Sequence, residues 1–446
     1  MTNQFLLNIC SINKNNINAD VWRQAKTCLL DYLAVTIAGS KQLSDKVLLY
    51  INGKEADNAS VIGLNSRTDM QTAALINGMN AHVLELDDGH RRGALHVGCT
   101  VFSALLAIAE KEKLSSRDFL YGAIIGYEVT IRLACAIQPG NKLRGYHATG
   151  TCGTVGATMA IAAALGFDEK QMKSALSAAV TCSAGVLEMQ EDNADYKPLN
   201  VGRAAMDAVA AAYLGKSRFI PPFDAIGGKR GFLKVMTDDP HPEYITDFDP
   251  SNPLAITQIY MKTYAACRHT HPAIEAALVL RNKYQIRPAD IASIEVEAYK
   301  LAVAGHDHTD ILGISSAKMS LPFSVALALC TGHADMEAYS EANVTNETIL
   351  SLTKRVKVVE NEELSALVPH KRASILHLIL TDGTKRTYRV DYPKGEPENP
   401  LADNEIEEKF VSLASAASLT KERCTDIINI IHQPSFELID LLEKLK

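Results

Sequence analysis

No two cysteines in this chain are spaced CxxC. All nine (Cys10, Cys28, Cys99, Cys135, Cys152, Cys182, Cys267, Cys330 and Cys424) are scattered, and their number is odd. That distribution argues against a zinc ribbon and a cysteine-ligated iron–sulfur cluster, and it predicts reduced thiols in a cytoplasmic protein. HExxH is missing, as is the GxxxxGK[ST] of a phosphate-binding loop. The chain is not basic. Its net charge of −7 argues against a general nucleic-acid or anionic-membrane binder, while leaving room for local basic pockets. No apolar run reads as a membrane span, and the opening MTNQFLLNICSINKNN carries no signal-peptide charge pattern. Internal repeats and heptads are absent too. What remains is an ordinary globular composition, 47% hydrophobic and 22% charged, over 446 residues, enough for more than one domain.

The first part of the chain reads as helix after helix. Asp20 to Ser40 has Asp20 as a cap, Trp22, Ala25, Leu29, Leu33 and Thr36 along one face, and Gly39 as a stop. A polar connector leads to a helix from Gln71, with Ala74, Ile76, Met79, Val83 and Leu86 at helical spacing. Cys99 to Glu110, Phe119 to Ala136 (capped by Ser116), Thr151 to Leu165, Gln171 to Met189 and Val201 to Leu214 follow, several rich in alanine and apolar nearly all round. Prolines and glycines then multiply from Lys216 to Pro253, which predicts long loops. Beyond them the period changes. Ile294, Val296 and Ala298 alternate with polar residues, as do Val356 and Val358, and Asp382-Gly383 separates two further strands as a hairpin turn. PKGEPENP (Pro393 to Pro400) reads as a linker, and Glu405 to Lys446 is helical again. The pattern predicts a mainly α protein: an all-helical domain from residues 1–266 and 400–446, interrupted by an α+β domain over residues 267–399.

Four stretches carry chemistry. NGMNAHVLELDDGHRRGALHVGCT, Asn77 to Thr100, packs Asp87, Asp88, His90, Arg91, Arg92 and His96 into ten residues. Paired carboxylates beside histidines form an acid/base kit, and adjacent arginines grip carboxylates; a charged turn that merely ends a helix fits equally well. QPGNKLRGYHATGTCGTVGA sets Lys142, Arg144, Tyr146 and His147 among glycines at a helix start, a place that suits an anion or only close helix packing. EMQEDNADYKP ends in Lys197, and KTYAACRHTHPAIEAA holds Lys262, Arg268, His269 and His271. The HxH pairs His269/His271 and His306/His308, with Asp87 and Asp88, imitate a metal-dependent hydrolase, a reading disfavoured without HExxH.

Five blocks, NGMNAHVLELDDGH with its later histidine, GYEVTIRLA, GYHATGTCGTVGA, YKPLNVGRAAMDA and KTYAACRHTH, in this order resemble the MmgE/PrpD family over nearly the whole chain. That family includes 2-methylcitrate dehydratase, cis-aconitate decarboxylase and iminodisuccinate epimerase. The resemblance implies a cofactor-free enzyme, often a homodimer, that binds a small di- or tricarboxylate in a cleft between domains; the scattered cysteines and the lack of a zinc-type histidine motif predict no metal, and the net charge predicts neither nucleic acid nor a membrane as partner. It places functional positions at Glu85, Asp87, Asp88, His96, Tyr146, His147, Lys197 and Lys262. Glu85 stands where members commonly have aspartate, and Cys267 where decarboxylase-like members carry histidine, which points away from decarboxylation. Within the family the resemblance is to iminodisuccinate epimerases. Epimerisation needs a base and an acid on opposite faces of the α-carbon, which Lys197 facing Tyr146 or His147 supplies. Dehydration would use the same base and an acid such as His96 or Asp88. Glu85, Asp87, Arg91, Arg92, Lys142, Arg144, Lys262, Arg268 and His269 are the expected substrate-binding residues, their cations spreading the charge of an aci-carboxylate intermediate. A polycarboxylate binder without turnover is the nonenzymatic alternative.

Overall fold

Asn18, not Asp20, starts the first long helix: its side chain accepts from the Val21 amide at 2.9 Å. The computed structural model describes residues 1–191, 194–249 and 251–445. A short helix α1 (Thr2–Cys10) precedes α2 (Ala19–Ile51), which runs straight through Gly39 where the sequence predicts a stop. A lone glycine inside a helix costs only about 1 kcal/mol. Here it is needed for a crossing, because a Cβ at Gly39 would lie 1.9 Å from the Asn80 carbonyl of α3 (Met70–His82). The polar connector between α2 and α3 is a small antiparallel hairpin, β1 (Glu55–Val61) with β2 (Ser66–Thr68), so this part of the chain is not all helix. Its strands do not alternate regularly, which is why they escape notice in the sequence. Asn77 of α3 anchors the hairpin by accepting from the Ile62 amide at 2.9 Å.

Around α3 stand α4 (Gly98–Glu112), α5 (Ser116–Ile137), a single turn α6 (Gly140–Leu143), α7 (Ala148–Ala164), α8 (Glu169–Cys182) and α9 (Lys197–Lys216). α7 packs against α4, α5, α8 and α9 and is buried on every side. α5 is long and apolar enough to cross a membrane, contrary to the sequence-based expectation, but 89% of its most apolar window lies inside the protein. The predicted helix to Met189 breaks at Cys182. Gly185 takes φ +130°, its carbonyl receives the His147 amide at 3.0 Å, and a 3-10 turn follows over Leu187–Gln190. α9 begins earlier than predicted, at Lys197, with Pro198 in its first turn, where a missing N–H costs nothing.

α3 and α9 cross at glycines. A Cβ on Gly202 would sit 2.2 Å from the Leu75 carbonyl, and one on Gly78 would sit 2.8 Å from the Gly202 Cα. This close approach brings the end of α3 to the start of α9. Gly202→Ala is expected to destabilise the protein by about 1–3 kcal/mol, the usual cost of overpacking. Urea unfolding would measure it, and an unchanged midpoint would show that the two helices separate freely.

After two short helices, α10 (Phe232–Met236) and α11 (Glu243–Thr246), the chain builds a smaller α+β unit. Its helix α12 (His271–Tyr284) leads to β3 (Ile291–Ala298), three short helices and turns α13 (Lys300–Val303), α14 (Ile314–Met319) and α15 (Leu321–Thr331), then α16 (Glu341–Val344) and α17 (Glu347–Thr353). β4 (Val356–Glu360), α18 (Glu362–Ala366), β5 (Ser374–Leu380) and β6 (Lys385–Val390) complete it. The sheet order is β4-β3-β5-β6, with β3 and β4 parallel and the other pairs antiparallel. α12 and α15 cover one face of it. Inward residues Ile294, Val296, Leu376 and Leu378 are buried, as the alternation predicts.

α19 (Asp403–Ala416) packs along α2, α20 (Lys421–His432) beside both, and α21 (Leu438–Lys444) against α4. The Lys409 ammonium of α19 reaches Asp31 of α2 at 2.6 Å, the Leu86 carbonyl at 2.9 Å and the Lys262 carbonyl at 2.8 Å. The predicted linker is a strap instead: Met261 donates to the Gly395 carbonyl at 2.9 Å, and Glu396 is 1% exposed. The protein is mainly α-helical with a small mixed sheet.

Candidate active site

The chain leaves α3 at His82 and turns sharply at Glu85, which holds φ +57°, a left-handed conformation unusual for a residue with a side chain. The turn aims the Glu85 carboxylate at two lysines. Oε1 lies 2.5 Å from Nζ of Lys197, the first residue of α9, and Oε2 lies 3.1 Å from Nζ of Lys262. Lys262 arrives because Gly89 and Tyr260 exchange backbone hydrogen bonds at 3.0 and 2.8 Å, and Lys409 clamps both segments. Burial alone would raise the Glu85 carboxyl, but Lys197 and Lys262 hold it well below the usual range. Lys318 of α14 donates to the Leu84 carbonyl at 3.2 Å, and burial lowers its amine to about 8 despite Glu85.

Histidines form a second layer. Asp87 bonds His82 Nδ1 at 2.7 Å and lies 3.3 Å from His96 Nδ1. His96 Nδ1 is also 2.7 Å from the Asp88 carbonyl, so this nitrogen carries the proton and Nε2 is the basic one. Burial pushes the imidazole down to about 3, against the pull of Asp87. His147 ends the loop before α7; burial, with His82 and Lys197 nearby, holds it well below its usual value. Its Nδ1 has no partner among the described residues.

From the other unit come Cys267, Arg268 and His269, at and in a single 3-10 turn before α12. Arg268 donates to Glu396 at 2.6 Å and to His271 Nδ1 at 2.7 Å, with its guanidinium 4.6 Å from the Tyr260 ring centre. His269 Nδ1 meets the Tyr299 hydroxyl at 2.6 Å and its Nε2 lies 3.5 Å from Lys142 Nζ. His306 Nε2 is 3.8 Å from the Cys267 sulfur.

One cavity is lined by Glu85, His96, Lys142, Tyr146, His147, Lys197, Lys262, Arg268 and His269, nine of the fourteen residues expected from the sequence. A second cavity meets it at Glu85, Gln190, Lys197 and Met319 and runs between α2 and Ile314–Met319. The other five expected residues do not line the first cavity. Asp87 sits behind His82 and His96. Asp88 accepts from the Val97 and Gly98 amides at 3.2 and 2.9 Å and from the Tyr127 hydroxyl, so it anchors the start of α4; burial pushes its carboxyl up to about 7. Arg91 pairs with Glu396 and Glu398 at 2.8 and 2.6 Å, Arg92 bonds and stacks on Tyr244, and Arg144 pairs with Asp238 near the surface. In each case an acid or aromatic group distant in sequence takes the guanidinium.

Arg372, just before β5, also lines the cavity, donates to the Arg91 carbonyl at 2.5 Å, and has no partner for Nε among the described residues. Nothing local in the sequence marks it. His306 appears in the sequence only as half of an HxH pair. Among the described residues, two trios bring three donor atoms within 4.8 Å of one another: His82, Asp87 and His96, and Cys267, His269 and His306. The second has ligand types that suit zinc, but Lys142 lies beside His269 and would oppose a divalent cation.

Residues 4–245 match the MmgE/PrpD N-terminal domain and residues 264–432 the MmgE/PrpD C-terminal domain. The chain belongs to the MmgE/PrpD family. It is 28% identical to the cis-aconitate decarboxylase-like protein oryM of Aspergillus oryzae, over 95% of this chain and 92% of that one. Similarity to the cis-aconitate decarboxylase of Mus musculus is 24% identity over 100% and 91% of the two chains. An alkylcitrate dehydratase, phiI, from a fungal species is 25% identical over 57% of this chain and 53% of its own. These MmgE/PrpD relatives carry the names of lyases and do not support the epimerase that the narrower resemblance implies.

Proposed function

We propose that this chain is a lyase acting on a di- or tricarboxylate by proton transfer among its own side chains. Decarboxylation of a cis-aconitate-like acid is the first reaction to assay, and dehydration of an alkylcitrate-like acid the second. The observation that carries the reading is one carboxylate, Glu85, holding two lysines at the edge of a cavity whose lining includes the imidazoles of His96, His147 and His269 and the guanidinium groups of Arg268 and Arg372. Breaking a C–C or C–H bond beside a carboxylate leaves an aci-carboxylate carbanion. Lys262, Arg268 and Arg372 supply preorganised cations for that charge. His96, neutral with Nε2 unprotonated, offers the substrate a hydrogen-bond acceptor, and Lys197 is suited to give a proton. Names of relatives support a lyase over the epimerase. Cys267, at the position where the resemblance puts histidine in decarboxylases, is what keeps dehydration as the second reading.

Purified protein in deuterated water, given each substrate in turn, separates the readings. Cis-aconitate turned over with release of carbon dioxide, or 2-methylcitrate converted to an ultraviolet-absorbing alkene, is the expected result. Inversion of one iminodisuccinate stereoisomer with deuterium at the α-carbon, and no lyase activity, would restore the epimerase. Binding without turnover of any of the three would leave a polycarboxylate binder.

A further inference from the structure

We propose that Cys267 and His306 form a thiolate–imidazolium pair that makes this cavity a covalent capture site for carboxylate-bearing electrophiles, above all α,β-unsaturated polycarboxylates. The proposal leans on the lyase reading only for the identity of the natural electrophile.

His306 is aimed at the sulfur by its other nitrogen. Nδ1 lies 2.8 Å from the Met319 carbonyl and must carry a proton there, which leaves Nε2 facing Cys267 Sγ at 3.8 Å. The Cys267 amide donates to the Lys318 carbonyl at 2.9 Å, fixing the backbone beneath the thiol. Burial opposes a thiolate, yet His306 and Lys197 outweigh it and bring the thiol to about 6, with Glu85 acting against them. Lys142 adds a further cation. Tyr299 and Tyr339 also face the sulfur, and burial keeps both phenols neutral. Each of the other eight thiols is shifted upward, the half-exposed as well as the buried. A second observation points to the ligand: Arg372, 7% exposed, lines the same cavity with its Nε unpartnered among the described residues. A carboxylate beside the thiolate would meet the guanidinium of Arg372.

The chemistry balances without another reagent. The thiolate electron pair forms a C–S bond at the alkene carbon β to a carboxylate, and the π pair moves to the α-carbon as an aci-carboxylate. His306 Nε2–H delivers its proton to that carbon, leaving a neutral imidazole and a thioether; nothing departs. With an α-halo acid the thiolate displaces halide instead. An enzyme that handles conjugated acids would thus label itself slowly.

The test compares iodoacetate with iodoacetamide on the whole chain, read by peptide mass spectrometry. Cys267 is expected to be alkylated first, with a rate that inflects near pH 6. It should prefer the anionic reagent by about 10-fold or more, as a cation-lined cleft concentrates anions. Exposed Cys10, with Glu169 nearby, should prefer the neutral one. His306→Asn should return the inflection to about 8.5, the ordinary thiol value. Arg372→Met should reduce the preference for iodoacetate, the other cations of the cleft keeping part of it. Incubation with cis-aconitate should add one acid to the Cys267 peptide. Slower labelling at Cys267 than at Cys10, an ordinary inflection, or no cis-aconitate adduct on a protein that iodoacetate labels would each overturn the proposal. None of these readouts needs turnover, so the lyase reading and the capture site can fail separately.

Discussion

Lys197→Ala lowers turnover by a factor of at least ~100, the contribution of a positioned acid/base, with little change in melting temperature. Lys197 contacts Glu85 at 2.5 Å, lines the cavity, and is 15% exposed. Its removal leaves Glu85 still paired to Lys262 at 3.1 Å, so no buried carboxylate is stranded and the fold has little reason to weaken. Lys197→Arg sharpens the outcome. Arginine keeps the charge beside Glu85 but does not give up a proton at neutral pH, so it should be nearly as slow. Activity restored by arginine would reduce the role of Lys197 to charge alone. Parent-like turnover in the alanine variant would remove Lys197 from the mechanism, whichever substrate proves right.

Glu396→Gln is expected to destabilise the protein by about 3–5 kcal/mol, the cost of breaking a buried ion pair from one side. Glu396 is 1% exposed and its two oxygens hold Arg268 at 2.6 Å and Arg91 at 2.8 Å. Arg91 keeps Glu398, but Arg268, 4% exposed, loses its paired counter-charge and is left with a neutral amide, a neutral histidine and the face of Tyr260. A lowered urea midpoint measures the effect. Because Arg268 also lines the cavity, KM for a carboxylate substrate should rise in the same variant. Unchanged stability would mean that water reaches the pair and screens it.

Much of the site is legible because its residues stand in short blocks with their own local grammar. Glu85 and Lys262, 177 positions apart, both stand in blocks that mark the family, and they meet. The hairpin of β5 and β6 was legible for the same reason: alternation on both sides of Asp382-Gly383 needs no distant partner to be read. The HxH pairs show where local reading fails. His269 and His306, one from each pair, stack with ring centres 5.2 Å apart, while His271 accepts from Arg268 and His308 approaches the Ser316 carbonyl at 3.1 Å. Neighbours two apart in sequence diverge in space, so adjacency in the chain did not make either pair a site.

The sequence by itself determined the helical periods, the change to strand period, and the blocks that mark the family, since each depends on residues within a turn or two of one another. Tertiary structure decided the destination of the cations expected at the site. Arg91, Arg92 and Arg144 bind Glu396 and Glu398, Tyr244 and Asp238, whereas Arg372, in an unremarkable stretch, faces the cavity. A charged side chain takes whichever partner the fold brings within a few ångströms, because Coulomb attraction falls with distance and burial removes competing water. That partner lies far away in the chain, so no local pattern announces it.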